Sequence, residues 1–242
     1  MDPNDIIIFF GKVVSAVMII PIVTALIKRK YLDRKLKIFL AFCIISFTIA
    51  VLEQLFLWSA KKYYYEFWKP ILDYWEIKNT FFLQILAHFR DFALLGSFFS
   101  AVLYPGKVYK LVGLISIILA IASIVNYFFI EGYKEPGVFN PTADAIYCFI
   151  VPMISMWYLY HIDSKIAMYK NPVFWISLGL ILPNLLGLFL YFTSDFLEGE
   201  NYPLYVNLML IKNFFEIIGI ILITIGFAHA YYMRFFYPES TK

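Results

Sequence analysis

The chain has 242 residues, of which 62% are hydrophobic, 21% aromatic and 15% charged. Soluble domains are about 45–50% apolar and about a quarter charged, because surface grows too fast with size for one core to bury more. The composition therefore excludes a soluble fold, and with a net charge of only +3 no nucleic-acid partner is expected.

The N-terminus, Met1-Asp2-Pro3-Asn4-Asp5, is acidic where a cleaved secretory signal carries positive charge, so the first apolar run is expected to stay as a membrane anchor. A run of about 20 apolar residues crosses the hydrocarbon core as a helix. Such runs fall at 5–27, 37–60, 79–104, 109–130, 142–161, 172–195 and 204–233. They predict an all-α, seven-transmembrane helix bundle forming a single domain over residues 1–242. The separators carry chain breakers: Tyr104-Pro105-Gly106-Lys107, Glu135-Pro136-Gly137, Asn171-Pro172 and Asn201-Tyr202-Pro203. Pro172 suits the first turn of a helix, where its missing N–H does no harm.

Between the second and third spans, residues 61–78 read KKYYYEFWKPILDYWEIK. This segment is too aromatic for a disordered linker and too charged for a span. A short amphipathic helix is expected there, with Trp68, Trp75 and the tyrosines at headgroup depth. Cys43 and Cys148 lie inside apolar runs and are expected to act as small buried hydrophobes.

Charge in the loops sets direction. With the N-terminus outside, the inner segments hold 12 Lys and Arg against three acids. The outer segments hold five lysines (Lys61, Lys62, Lys69, Lys78 and Lys134) against 11 acids, counting Asp144 and Asp195 at span edges. Lys and Arg are retained on the cytoplasmic side, so the expected topology is N-terminus outside, C-terminus cytoplasmic. Lys28, Arg29, Lys30, Arg34 and Lys35 in the first inner loop are a candidate contact for a cytoplasmic signalling protein. The lipid bilayer is the other expected partner.

Six charged residues fall inside spans: Lys12, Glu53, Arg90, Asp91, Lys212 and Glu216. Each costs roughly 2.5–3.5 kcal/mol at the membrane centre on insertion scales, and equal numbers of the two signs suggest mutual pairing inside the bundle. Gln84, His88 and Asp91 recur at i, i+4 and i+7, one stripe of a helix. Lys212 and Glu216 are four apart and within direct reach. Together with Asn184 beside Pro183, these residues gather in the half nearer the N-terminus, while the other half offers mostly Ser, Thr and Gly. A ligand-binding site is therefore expected from Lys12, Glu53, Gln84, His88, Asp91, Asn184, Lys212 and Glu216. The alternative is a buried polar network that only fixes helix register. Arg90 stands off the stripe and receives no role.

Catalytic signatures are absent: there is no H-E-x-x-H and no G-x-S-x-G. His88, His161 and His229 lie at different depths and cannot share a metal. The sequence points away from an enzyme and toward no metal. Seven helices with a lysine in the last span resemble the retinal-binding rhodopsins. That likeness implies Lys212 as Schiff-base lysine and Asp91 as counter-ion. The third span, Gln84-Ile-Leu-Ala-His88-Phe-Arg90-Asp91, lacks the Asp-Trp and Thr-x-x-Pro elements of the microbial members, and Glu216 is placed to hold Lys212 as an ammonium, so no cofactor is expected. The opening of the sixth span, Asn171-Pro172-x-Phe174-Trp175-Ile176-x-x-Gly179, and the Asn213-centred polar step of the seventh are similar to seven-helix membrane proteins of Bacteroidota-type bacteria. That resemblance implies a bacterial inner-membrane protein of sensor-like organisation and brings no site residues. The expectation is a receptor-like or sensory module that takes a small polar or ionic ligand from outside. A transporter or channel component, or a structural subunit of a membrane complex, are the alternatives.

Overall fold

A computed structural model describes residues 3–77, 80–105, 107–133, 137–161 and 166–236, without the side chains of residues 3–5, 81, 194, 195 and 198–200. Asp2, Lys78, Lys134, Glu135, Asp163, Lys165, Glu239 and Lys242 of the charge pattern lie outside the described residues, as do the side chains of Asp5, Asp195, Glu198 and Glu200. The described residues are helical, with no strand among them. Seven helices are long and apolar enough to cross a bilayer: α1 (Ile6–Ile27), α2 (Arg34–Lys62), α3 (Gln84–Leu103), α4 (Val108–Ile130), α5 (Phe139–Tyr160), α6 (Pro172–Glu200) and α7 (Tyr202–Ala228). Residues of lipid-facing type cover the outside; Ile27, Phe129, Ile130 and Phe192 are all exposed.

Helix ends are set by caps. The Asp33 carboxylate accepts the Leu36 N–H at 2.9 Å, which starts α2 three residues before the apolar run begins. Asn171 accepts the Val173 N–H at 2.8 Å ahead of Pro172, and Asn201 accepts the Leu204 N–H at 3.3 Å. Each side-chain oxygen satisfies one of the N–H groups that a helix start leaves unpaired. Helix α5 starts at Phe139, not 142, because Glu131 reaches across to it: its Oε1 accepts the N–H groups of Val138 at 3.2 Å and Phe139 at 3.0 Å. Helix α7 ends at Ala228, earlier than expected, and a 3₁₀ turn (Ala230–Tyr232) follows.

The segment expected as an interfacial helix is shorter. After α2 a π turn (Tyr64–Trp68) leads into six helical residues, Lys69–Tyr74. Trp68 folds back, its indole donating to Ser59 Oγ at 2.8 Å, while Tyr65, Tyr74 and Trp75 remain exposed.

The helices close a ring in chain order, with α1 also packed on α7 and α3 touching α2, α4 and α5. Helix α3 is the most enclosed of the seven and α1 the least. The densest apolar packing lies at the end of the bundle that carries the basic loop. There Phe39, Phe98, Phe99, Val173, Ile176 and Phe227 are all fully buried, with Phe39 4.9 Å from Phe98 and 5.8 Å from Phe227 between ring centroids. The opposite half is looser and polar.

Candidate functional site

Helices α1, α2, α3, α6 and α7 line a half-open cavity of about 280 Å³ midway along their length. Most of its wall is apolar, from residues such as Val14, Met18, Leu180 and Ile223. Polar groups enter from two sides. On α7 the Lys212 ammonium donates to Glu216 Oε1; both side chains are largely covered, at 22% and 28% exposure. Arg90 of α3 also lines the wall. Asn184 lines the cavity too, but its amide donates to the Leu180 carbonyl at 2.8 Å, leaving its oxygen as the available acceptor.

Behind Arg90 lies an ionic cluster between α3 and α5. Arg90 and Asp91 are adjacent in sequence, yet form a two-pronged pair: Nε to Oδ1 and Nη2 to Oδ2, each at 2.7 Å. Neighbours at i, i+1 do not face each other on a regular helix. Here α3 widens into a π turn over Asp91–Leu95, a local insertion that is frequent at functional sites. The guanidinium also stacks over Phe42 at 5.0 Å, a cation–π contact that compensates part of its desolvation. Asp144 of α5 joins from the far side. Its Oδ2 lies 3.0 Å from His88 Nδ1, and its Oδ1 accepts from Cys148 Sγ at 3.4 Å. One oxygen each of Asp91 and Asp144 and the Cys148 sulfur lie within 4.8 Å of one another. Arg90, bridging both oxygens of Asp91, brings one positive charge to this cluster. Cys148 is thus buried as expected, but as a polar partner and not only a small hydrophobe.

The predicted site residues divide. Asn184, Lys212 and Glu216 meet at the cavity, and Asp91 stands one side chain behind it. Gln84 and His88 face a separate compartment of about 10 Å³, bounded also by Tyr127, Glu131 and Asn140. Glu53 belongs to neither: it accepts the Thr80 hydroxyl at 2.8 Å. Lys12 is exposed on the outside of α1. Two residues that sequence reasoning left out, Arg90 and Asp144, turn out to bind the cluster together. The i, i+4 spacing of Asp144 and Cys148 was the available signal for the second.

Glu131 lies just past α4. Burial opposes its ionisation, but hydrogen bonds from Asn126 Nδ2 and the Phe139 and Val138 N–H groups outweigh this and hold its carboxyl below the ordinary carboxylate range. At the other end of the bundle, the basic loop makes one 3₁₀ turn, Arg29–Tyr31. Tyr31 meets Tyr231, just beyond α7, edge to face at 5.4 Å. Arg29, Lys30 and Arg34 are exposed; Lys28 and Lys35 are half-buried. Comparison with protein families, curated proteins and solved structures finds no match for this chain.

Proposed function

We propose that the chain is a receptor-like sensory module of the cell membrane, with its N-terminus outside, that binds a small charged or zwitterionic molecule in the cavity beside Lys212 and Glu216. The observation that carries this reading is the placement of the Lys212–Glu216 ion pair, Asn184 and Arg90 around one otherwise apolar space. A cavity of about 280 Å³ sits at the small end of ligand sites. The carboxylate of Glu216 takes a cationic group, Lys212 an anionic one, and the apolar wall takes a short hydrocarbon portion. Lys212 acts here as an ammonium engaged by Glu216, not as a Schiff-base amine.

A ligand acts only by binding one arrangement of the helices better than another. Opening the Lys212–Glu216 pair to admit a ligand pulls on α7, and the far end of α7 bears on the basic loop through Tyr231 and Tyr31. Lys28, Arg29, Lys30, Arg34 and Lys35 would then present a changed surface to a cytoplasmic partner. The aromatic plug of Phe39, Phe98 and Phe227 favours a receptor, because it closes the route onward from the cavity. Thermal unfolding of the purified protein against a panel of small zwitterions and amphipathic ions tests this. A stabilising compound should lose its effect in Glu216→Gln and in Lys212→Met. A compound that stabilises these variants as well as the wild type places its site elsewhere.

One feature favours a transporter as the second reading: Pro183 lies inside α6 beside the cavity and removes one backbone hydrogen bond there, a weak point where the discontinuous helices of transporters place their substrates. Saturable counterflow of the stabilising compound in reconstituted vesicles would support it, and sealed vesicles without counterflow the receptor.

A further inference from the structure

Beside the cavity, the small compartment on the other side of α3 holds two buried polar atoms that meet no partner among the described residues: His88 Nε2 and Asn140 Oδ1. Both side chains are at least nine-tenths buried, and both line the same space of about 10 Å³. That is room for about one water, which needs two to four polar partners to reside in a protein interior. His88 Nε2, Asn140 Oδ1, the Gln84 amide and the rim carboxylate of Glu131 supply them. The other nitrogen of the same imidazole is held by Asp144 at 3.0 Å. An ionised carboxylate only accepts hydrogen bonds, so Nδ1 then carries the proton and Nε2 presents its lone pair to the compartment.

The charges of the cluster give this lone pair a purpose. With His88 neutral, one cation, Arg90, faces two carboxylates, Asp91 and Asp144. A proton on the imidazole balances the four groups. The remaining neighbours are Cys148, Tyr147, whose hydroxyl is held by Ser116 at 2.6 Å, and Tyr127, whose hydroxyl donates to the Phe82 carbonyl at 2.6 Å. Across the cavity, Tyr191 lies within electrostatic reach of Asp91 and Asp144 on one side and of Lys212 and Glu216 on the other. We propose that His88, Asp144 and Asp91 form a proton-binding site, loaded from the Glu131 side through water between His88 and Asn140, and linked to the ligand cavity by Arg90. In the loading step, hydronium gives its proton to Nε2 and leaves as water. The imidazolium keeps Nδ1–H on Asp144, which draws that carboxylate away from Asp91 and leaves Asp91 to Arg90 alone. The link to the cavity rests on the receptor reading; the proton site itself does not.

The test therefore uses no ligand. The full chain, labelled with isotopes in its histidines and held in lipid nanodiscs, is titrated by NMR, with the His88 signals identified by their loss in His88→Gln. The His88 imidazole should pass from neutral to doubly protonated as pH falls. In Asp144→Asn its proton affinity should drop about tenfold or more, as expected when an opposite charge in contact is removed. Asn140→Leu, which fills the compartment, should abolish or greatly slow the titration while the other two histidines titrate unchanged. A His88 that stays neutral throughout, or an affinity indifferent to Asp144→Asn, overturns the site. Retained ligand binding in Glu216→Gln with a normal His88 titration would count against the receptor reading alone.

Discussion

Gly179 of α6 and Gly219 of α7 touch backbone to backbone: a Cβ on Gly179 would stand 2.6 Å from the Gly219 carbonyl oxygen, and one on Gly219 would overlap the Gly179 carbonyl. Pro183 has no N–H, so the Gly179 carbonyl lacks its usual partner one turn on and faces the neighbouring helix instead. Gly226, seven residues along α7, repeats the close approach against Ile176 and the Pro172 carbonyl. In lipid there is no hydrophobic drive to bring helices together, so close packing of small residues carries the association.

Gly179→Ala and Gly219→Ala should therefore each destabilise the bundle by about 1–3 kcal/mol, the usual cost of overpacking. Backbone lies on the far side of each contact and cannot swing away as a side chain would. Equilibrium unfolding in mixed micelles measures this, and Gly11→Ala, where a Cβ meets nothing within 4 Å, is the control. Equal stability of all three variants would mean that the two helices do not cross here.

Arg90→Met should be among the most damaging single changes. Arg90 and Asp91 are 15% and 8% exposed, and removing one partner of a buried pair leaves an uncompensated charge at a cost of about 3–5 kcal/mol. The double change Arg90→Met with Asp91→Leu should recover much of that loss, since Asp144 keeps His88 as its partner. A double-mutant cycle from unfolding curves checks it. Additive losses would show that the two side chains act independently.

The spans were legible because a long apolar run is a one-dimensional signal; Asn171-Pro172 marked the start of α6, while Tyr202 and Pro203, read as part of a separator, lie inside the first turn of α7 behind the Asn201 cap. The Lys212–Glu216 pairing was legible for a similar reason, since four residues along a helix fix contact without any knowledge of neighbours. Direction around the helix axis was harder to read. Helices that are apolar on every side give no moment to orient by, so Lys12 and Glu53 had suitable depth but point away from the cavity. Arg90 was hidden by the π turn at Asp91–Leu95, which resets the helical register at the residue where it mattered. Asp144 was assigned to a span edge because the cap from Glu131 is a contact between segments; once α5 starts at Phe139, Asp144 sits more than a turn inside.

Glu131 should make stability depend on acid pH. Its carboxyl is held below its ordinary range in the folded chain, so its contribution is complete above the unfolded value of about 4.3 and disappears as pH falls through the lower folded value. Glu131→Gln should melt a few degrees lower than wild type at neutral pH, and the two melting curves should converge below about pH 4. A gap that stays constant down to acid pH would assign the loss to the Asn126, Val138 and Phe139 hydrogen bonds alone, independent of charge.

Orientation decides whether the Lys212 side of the cavity faces the exterior, and the chain is well suited to a labelling experiment. Its two native cysteines, Cys43 and Cys148, are both buried and give little background. Tyr65, 80% exposed beyond α2, and Lys30, exposed in the basic loop, lie at opposite ends of the bundle. If Lys and Arg are retained on the cytoplasmic side, Lys30 is inside and Tyr65 outside. A membrane-impermeant maleimide added to intact cells should therefore label Tyr65→Cys and leave Lys30→Cys untouched until the membrane is opened. The reverse pattern would turn the bundle over: the basic loop would then face the exterior, where no cytoplasmic protein can read it, and the receptor proposal would fall with it.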